Sequence, residues 1–521
     1  MNAFAARLRA AQPEHRRARR WLFVPYDQLH DGIGPLAHEP AGELGIVLVE
    51  SRAKAARRPY HKQKLALLLT NLRHFALEQA ARGVAVRHVA TGDGYAEALA
   101  PLVRELGPLR VQRPAERELR HELQPLFANG GLVEVPHEGW LSSADDFASL
   151  GAPPWRMDAF YRRVRRRTGI LMQAGKPQGG KWSFDADNRK PWRGDPAPPE
   201  PPTFAADDVT REVCELVEST FAEHPGTLWR EHLPASRDDA ERLWSWALRE
   251  CLPWFGPFED AMSTRSSGLF HTRLSPLLNL HRLLPRRVVD DALAADLPLA
   301  SQEGFVRQIL GWREFVRHVH EATDGFRAFG GEAIDTNVLA GDLDLPAAYW
   351  GTPSGLACLD RVVADVWREG YSHHITRLMV LGNLATLLGV EPRQLSDWFR
   401  VAYADAYDWV VEPNVLAMAS YGVGGLMTTK PYTAGAAYLD RMSDYCRDCA
   451  FDPKTTCPIT RLYWQFLARN AERLAGNQRI AMPLRSAAKR PAAQRERDAA
   501  TFAWVRATLQ RGAMLAPDAA P

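Results

Sequence analysis

The chain has 521 residues, of which 46% are hydrophobic, and its 65 Lys and Arg against 62 Asp and Glu give a net charge of +3. This length predicts about three structural units with substantial cores, which excludes a disordered chain. No stretch reaches the roughly 18–20 apolar residues of a membrane-spanning helix, and the N-terminus lacks the apolar core of a signal peptide. We therefore expect a soluble, intracellular protein with no membrane partner.

The first 140 residues alternate short apolar runs with helical stretches. The predicted strands are 21–25, 44–49, 84–89, 109–111 and 132–135, and helical spacing follows Tyr60, Gly94 and Ala115. Apolar runs joined by helices indicate a parallel α/β sheet. The turn after the first strand, Pro25-Tyr26-Asp27-Gln28-Leu29, has no glycine fingerprint, which disfavours a standard dinucleotide site. A ligand at the carboxyl ends of the strands, near Asp27 and Glu50, stays open.

A basic segment, residues 156–193, separates this region from the rest of the chain. It carries eleven basic residues against three aspartates and is followed by the proline-rich run PAPPEPP. Such a patch suits a polyanion, because phosphate contacts supply affinity that does not depend on sequence. A solvated helix face is the alternative.

Beyond residue 206 the pattern is helical, with 3.6-residue spacing in 237–250, 303–321, 359–369, 375–388 and 392–410. We thus predict a basic tail (1–19), an α/β unit (20–140), a connector (141–205), an all-α unit (206–510) and a second tail (511–521).

Three of the six cysteines, Cys446, Cys449 and Cys457, fall within twelve residues, and a proline follows the last of them. In a protein without a secretion signal this spacing indicates metal or redox chemistry rather than disulfides. Cys358, at the start of a predicted helix, is the natural fourth ligand. An iron–sulfur cluster, zinc and no metal all stay open.

Two further segments could bind a ligand. Hydroxyls and backbone amides in 270–278 could cradle a pyrophosphate, with simple helix capping by Thr272 or Ser275 as the alternative. The adjacent His373 and His374 open a helix, where they diverge by about 100°. One of them could face a site while the other packs, and Arg377 and Asp405 could form a buried ion pair beside them.

The motifs HTRLSPLL (271–278), GWREFVRH (311–318) and HHITRLM (373–379) resemble flavin-binding segments of the photolyase/cryptochrome superfamily. GGKWSFDADNR (179–189), VAYADAYDWVVEPNV (401–415), TTKPY (428–432) and the cysteine pattern resemble those of its bacterial iron–sulfur group, the prokaryotic 6-4 photolyases. The resemblance runs from about residue 20 to 480. It implies a Rossmann-like α/β antenna domain followed by an all-α catalytic domain that binds FAD.

The resemblance also implies roles for individual residues. FAD would be bound by His271, Thr272, Ser275, Trp312, Arg377, Asp405, Glu412 and Asn414. His374 would be the proton donor to the lesion, with His373 beside it and Tyr432 in the lesion pocket. Trp398 and Trp350 would carry electrons to the flavin. A four-iron, four-sulfur cluster would sit on Cys358, Cys446, Cys449 and Cys457, and Arg162, Arg165, Arg166 and Lys181 would contact DNA.

The chain departs from the group at several positions. Phe399 replaces a tyrosine that often serves electron transfer, and the Cys449 to Cys457 spacing is short. For a 6,7-dimethyl-8-ribityllumazine antenna, Asp27, Glu50, His61 and Lys64 remain, while Tyr26 replaces a glycine and Lys54 a glutamate. The sequence therefore leaves open whether this antenna chromophore binds.

The function implied by the resemblance is light-dependent repair of 6-4 photoproducts by a DNA photolyase, a lyase, working as a monomer on UV-damaged DNA in the bacterial cytoplasm. Two alternatives remain. One is a cryptochrome-type photoreceptor with the same flavin and cluster. The other is an iron–sulfur DNA-binding protein without photochemistry.

Overall fold

The computed structural model describes residues 2–12 and 20–521. Its first unit is built on a parallel sheet whose strands run in the spatial order β3-β2-β1-β4-β5. The strands are β1 (Arg20–Phe23), β2 (Leu44–Ser51), β3 (Ala85–Thr91), β4 (Leu109–Gln112) and β5 (Leu132–Val135). Every residue of β2 is buried, as expected for a strand covered by helices on both faces of a parallel sheet. The predicted α/β fold is confirmed.

The N-terminal segment contains a helix where the sequence predicts only a basic tail. Helix α1 (Ala3–Ala11) buries Phe4, and Arg7 forms ion pairs of 2.7 and 2.8 Å with Asp207 and Asp208. The remainder of the predicted tail, residue 1 and residues 13–19, lies outside the described residues.

Helices cover the sheet and lead into the connector. They are α2 (Pro35–His38), α3 (Arg52–Ala56), α4 (Lys62–Ala81), α5 (Tyr95–Leu106), α6 (Arg117–Ala128), α7 (Ala144–Ala148) and α8 (Met157–Thr168). A short hairpin of β6 (Met172–Gln173) and β7 (Lys176–Pro177) follows α8. The proline-rich stretch after it has no regular structure.

The rest of the chain is helical apart from a second short hairpin, β8 (Ala328–Phe329) and β9 (Glu332–Ala333). Its helices are α9 (Asp208–Thr220), α10 (Arg237–Trp246), α11 (Leu252–Phe258), α12 (Ser275–Asn279), α13 (Pro285–Ala294), α14 (Leu299–Val306), α15 (Glu314–Ala322), α16 (Ala357–Glu369), α17 (His374–Thr376), α18 (Asn383–Leu388), α19 (Pro392–Ala402), α20 (Asp408–Glu412), α21 (Ala436–Met442), α22 (Pro458–Arg469), α23 (Ala481–Ala488) and α24 (Ala492–Gln510). In the described part of the chain, no helix combines the length and apolar character that a membrane span requires.

Four stretches of π-helix interrupt these helices: Ala247–Cys251, Arg307–Arg313, Arg377–Gly382 and Pro413–Ala419. A π-helical turn adds a residue to the helix and redirects the side chains around it, and such turns are frequent at functional sites. Three of the four line the cavity described below.

The predicted helix over 392–410 is wrong at its centre. Helix α19 ends at Ala402, because Tyr403 adopts an extended backbone and the Ala404 N–H donates to the carbonyl of Gly370 at 2.9 Å. The ammonium of Lys64, in α4, donates hydrogen bonds to the carbonyl oxygens of Arg400 and Ala406. These long-range hydrogen bonds replace helical ones, and the resulting turn carries Asp405.

Candidate functional site

A cavity of about 290 Å³ lies within the helical region. Nine of the predicted site residues line it: His271, Thr272, Ser275, Trp312, His373, His374, Arg377, Asp405 and Asn414. Apolar side chains such as Phe305, Ile309 and Val415 form much of the remaining wall. The cavity therefore combines an apolar wall with a few polar groups, which is the usual composition of a small-molecule site. We refer to it as the central cavity.

An ion pair between the buried Asp405 and the partly buried Arg377 lies at the wall of the central cavity. The guanidinium of Arg377 donates to both carboxylate oxygens of Asp405, at 3.0 and 2.9 Å, and its Nε donates to the carbonyl of Ser372. Ser275 donates to the same carboxylate at 2.6 Å. Burial alone would raise the pKa of Asp405, but the charge and hydrogen bonds of Arg377 and Ser275 lower it. The carboxylate therefore stays ionised and fixed in orientation.

Three histidines also line the cavity. The rings of His271 and His373 stack at 4.4 Å, and His271 Nε2 lies 3.1 Å from the carbonyl of Glu259. Neither ring nitrogen of His373 has a hydrogen-bond partner among the residues that the structure describes. The imidazole of His374 is open to the cavity. Burial within protein, followed by the charge of Arg377, lowers its pKa to about 4.

Of the residues predicted to bind FAD or the lesion, two lie away from the central cavity. The carboxylate of Glu412 is held by His320 at 3.0 Å, by Arg327 at 3.1 Å and by Arg393 at 3.3 Å. It therefore ties α15, α19 and the β8–β9 hairpin together, and does not line the cavity. Tyr432 does not line the cavity either.

An aromatic path leads from the central cavity to the surface. Phe399 lines the cavity and packs against buried Trp398 at 5.1 Å. Trp367 lies 6.0 Å from Trp398 and stacks on Trp350 at 5.5 Å, and Trp350 is 47% exposed. The Nε1 atoms of Trp398 and Trp367 donate to the same carbonyl, that of Tyr349.

Trp367 is the residue that sequence reasoning missed on this path. In the sequence it looks like any other aromatic residue of an amphipathic helix. Its contact with Trp398 joins two different helices, α16 and α19. No spacing in the sequence marks that contact.

The four cysteines predicted as ligands lie near one another, and all are free thiols. Burial raises the pKa of Cys358, and the charges of Cys457, Cys449 and Cys446 raise it further. Burial likewise raises the pKa of Cys446 to about 11 and that of Cys457 to about 12. Over residues 2–12 and 20–521, no group of three or more His, Cys, Asp and Glu side chains is arranged as a site for a metal ion.

The basic segment exposes some of its predicted DNA contacts and buries another. Arg162, Arg166 and Lys181 are exposed, and Lys181 pairs with Asp187 at 3.0 Å. Arg165 is fully buried and donates to the carbonyls of Ile170, Leu171 and Trp182. The prediction that Arg165 contacts DNA is therefore wrong, because its guanidinium holds the loop that follows α8.

The predicted antenna residues are only partly brought together. Glu50 and Lys64 line a small pocket beside β1 and β2, but Asp27 and His61 do not. Asp27 accepts from the Ala115 N–H at 3.0 Å, and burial raises its pKa to about 7. His61 instead stacks on Trp367 at 5.9 Å. A chromophore would meet only two of the four.

Comparisons with known proteins agree on one family. The family described as deoxyribodipyrimidine photo-lyase-related protein matches residues 22–233. A protein of Agrobacterium fabrum named (6-4) photolyase is 37% identical over 477 residues, which cover 88% of this chain and 93% of that relative.

Two solved structures share the fold. A class III photolyase of Agrobacterium tumefaciens has a TM-score of 0.55 at 15% identity, over 95% of this chain and 99% of that one. A cryptochrome of Synechocystis has a TM-score of 0.53 at 14% identity, over 94% and 95%. Together with this fold, the 37% identity to the (6-4) photolyase shows a protein of the photolyase/cryptochrome class. Within that class, the chain belongs to the family of the bacterial (6-4) photolyase.

The residues present fit some of the groups that this family implies and not others. The central cavity fits a flavin, since the unpartnered nitrogens of His373 require a hydrogen-bond partner that a ligand can supply. The four cysteines are the kind of ligands that an iron–sulfur cluster uses, but in the described residues they are not arranged as a metal site. The pocket beside β1 and β2 is too small for a ribityllumazine, and the ring of Tyr26 lines it and stacks on Tyr407.

Proposed function

We propose that the protein repairs 6-4 photoproducts in UV-damaged DNA by light-driven electron transfer from reduced FAD. The observation that carries the proposal is the central cavity, where an Arg377–Asp405 pair and an open histidine, His374, line one site. The name of the Agrobacterium relative supports the lesion class.

Reduced flavin, when bound, supplies the electron, and the protein supplies position, electrostatics and exclusion of water. Arg377 and Asp405 would flank the ring system. His271, Thr272 and Ser275 would lie toward the phosphates, with Trp312 and Asn414 on the remaining wall. His374 would hold the proton that the lesion receives. A stacked base cannot reach such a cavity, so the lesion must leave the duplex.

The proposal extends to organisation and setting. The unit over 20–140 would be the antenna domain, 141–205 the connector and 206–510 the catalytic domain, with tails at 1–19 and 511–521. The chain would work as a monomer on DNA in the bacterial cytoplasm. Tyr432 would border the lesion outside the central cavity, beside Asp185 and Arg189, whose charges act on its hydroxyl.

We propose that exposed arginines of α8 contact the phosphates of the DNA backbone. Replacing Arg162 and Arg166 together by Glu should weaken DNA binding and flatten its salt dependence, by about 0.9 units of slope for each phosphate of duplex DNA that the variant no longer neutralises. Titrations at several salt concentrations measure this. The control is Arg104→Glu on α5, which changes an exposed arginine of the sheet unit. An unchanged salt slope in the double variant would make the segment a solvated helix face.

The path Trp398–Trp367–Trp350 is the proposed route by which oxidised flavin is photoreduced. Replacing Trp367 by Phe should reduce the light-driven formation of reduced flavin to the background level, because phenylalanine is not oxidised as indole is. Repair by protein reduced chemically beforehand should persist. Trp254→Phe, at an exposed tryptophan off the path, is the control. Photoreduction at the normal rate in Trp367→Phe would exclude this route.

We also propose a four-iron, four-sulfur cluster on Cys358, Cys446, Cys449 and Cys457. It is supported by four free cysteines, three of them within twelve residues, and by a proline after the last ligand. Cys358→Ser should lose iron and the broad visible absorption, while Cys214→Ser, at another buried free thiol, should keep both. Metal analysis separates the outcomes, since zinc in place of iron, or no metal in the parent protein, would refute the cluster.

The function itself is tested by illuminating reduced, flavin-loaded protein with an oligonucleotide that contains a 6-4 photoproduct. Restored pyrimidines that form only in the light support the proposal. A purified protein without flavin absorption would exclude both photochemical functions.

A further inference from the structure

The pocket beside the carboxyl ends of β1 and β2 is small. Its volume is about 60 Å³, against about 290 Å³ for the central cavity. That space holds about four to six water molecules. A pteridine ring system with a ribityl chain is far larger. The carboxyl ends of parallel strands are nevertheless where this class of fold places its ligands.

The side chain of Tyr26 lines the pocket. It lies three residues beyond the end of β1, is 2% exposed, and stacks on Tyr407 with ring centres 6.1 Å apart and planes inclined by 20°. On another side it packs against Tyr95 at 5.8 Å. The ring therefore lies in an aromatic slot of the kind that a planar chromophore would enter.

The polar groups around this ring are bonded to the protein. The hydroxyl of Tyr26 donates to the carboxylate of Glu116, which also accepts from Lys54 at 2.7 Å. Glu50 is held by Arg73 at 2.7 Å and by His88 at 2.9 Å. Although burial would raise the pKa of Glu50, these partners lower it to about 2.

Lys64 is also engaged, since its ammonium donates to the carbonyls of Arg400 and Ala406 and lies 4.5 Å from the ring centre of Tyr60. A ligand that used these groups would have to break bonds within the protein, and each buried group left without a partner has a free-energy cost.

We infer that Tyr26 occupies the antenna site and excludes ribityllumazine from it, so that the protein collects light without this second chromophore. The inference does not depend on repair or on the lesion class, since it concerns only what the pocket accepts.

The test is chromophore binding by the full-length, flavin-loaded protein. The protein is incubated with 6,7-dimethyl-8-ribityllumazine, freed of excess ligand, and analysed for released lumazine and FAD by chromatography. The parent protein should retain no lumazine. Tyr26→Gly, which removes the ring, should retain lumazine at a ratio approaching one per FAD. Tyr26→Phe, which keeps the ring and loses only the bond to Glu116, should resemble the parent.

The FAD content of each variant reports whether it is folded. Stoichiometric lumazine in the parent protein would overturn the inference. So would a flavin-loaded Tyr26→Gly protein that still takes up none, because another group would then be the obstacle. Binding by Tyr26→Phe equal to that of Tyr26→Gly would show that the ring does not fill the site.

Discussion

The His374→Ala variant should lose light-driven repair by about 10²- to 10⁴-fold, the range that a positioned general acid contributes. The imidazole is open to the central cavity and lies next to the Arg377–Asp405 pair, so it can reach a lesion that enters the cavity. Its removal leaves the rest of the cavity wall in place. The variant should therefore keep its FAD and its photoreduction, and the two measurements together isolate the proton-transfer step.

The pH dependence of repair provides a second check on His374. Its pKa of about 4 in the free protein leaves the ring neutral at pH 7. The negative charge of bound DNA favours the protonated form and raises the pKa. Because the protonated form is the donor, repair should fall as pH rises through the raised pKa of the complex. Normal turnover by His374→Ala, or repair that grows with pH, would refute the assigned role.

The Asp405→Ala variant should lose about 3 kcal/mol of unfolding free energy, because it leaves the largely buried guanidinium of Arg377 without its carboxylate. The bidentate hydrogen bonds of 3.0 and 2.9 Å would be absent, together with the bond from Ser275. We also expect the variant to bind FAD poorly, since Arg377 would no longer be held against the cavity wall. Urea denaturation and flavin content after purification measure the two effects.

A matched control is available on the surface of the same chain. Asp342 pairs with Arg506 at 2.9 Å, but its side chain is 74% exposed. Asp342→Ala should change the unfolding free energy by about 1 kcal/mol or less, because water and salt screen an exposed pair. If the two variants were equally destabilised, the Arg377–Asp405 pair would contribute no more to stability than an exposed ion pair.

Much of the fold could be predicted from the sequence because its strands are continuous apolar runs. β2 has hydrophobic side chains along most of its length, and only a strand buried on both faces suits such a run. The end of α19 could not be predicted, because it depends on Lys64, which is more than 300 residues away in sequence and takes up the carbonyls of Arg400 and Ala406.

Some of the site residues could likewise be predicted from the sequence, and others could not. His271, Ser275, Arg377 and Asp405 belong to contiguous motifs and meet at one cavity. Glu412 belongs to such a motif too, but it bonds to two arginines and a histidine from other elements and does not line the cavity. Sequence position alone could not reveal those partners.

The burial of Arg165 did have a signal in the sequence. It shares a helix face with Tyr161, four residues earlier, and Val164 is also buried. Helical periodicity therefore places Arg165 toward the core, whereas Arg162 and Arg166 point outward. The basic composition of the segment concealed this pattern.

The most direct test of the proposed repair function uses one preparation of chemically reduced, FAD-loaded protein and an oligonucleotide with a single 6-4 photoproduct. The samples are kept in the dark or illuminated at wavelengths that reduced flavin absorbs, and the DNA is analysed by chromatography. We predict that intact pyrimidines accumulate only under illumination, over many turnovers. A flavin-loaded protein that binds this DNA and leaves the lesion unchanged in the light would contradict the proposal and favour a photoreceptor.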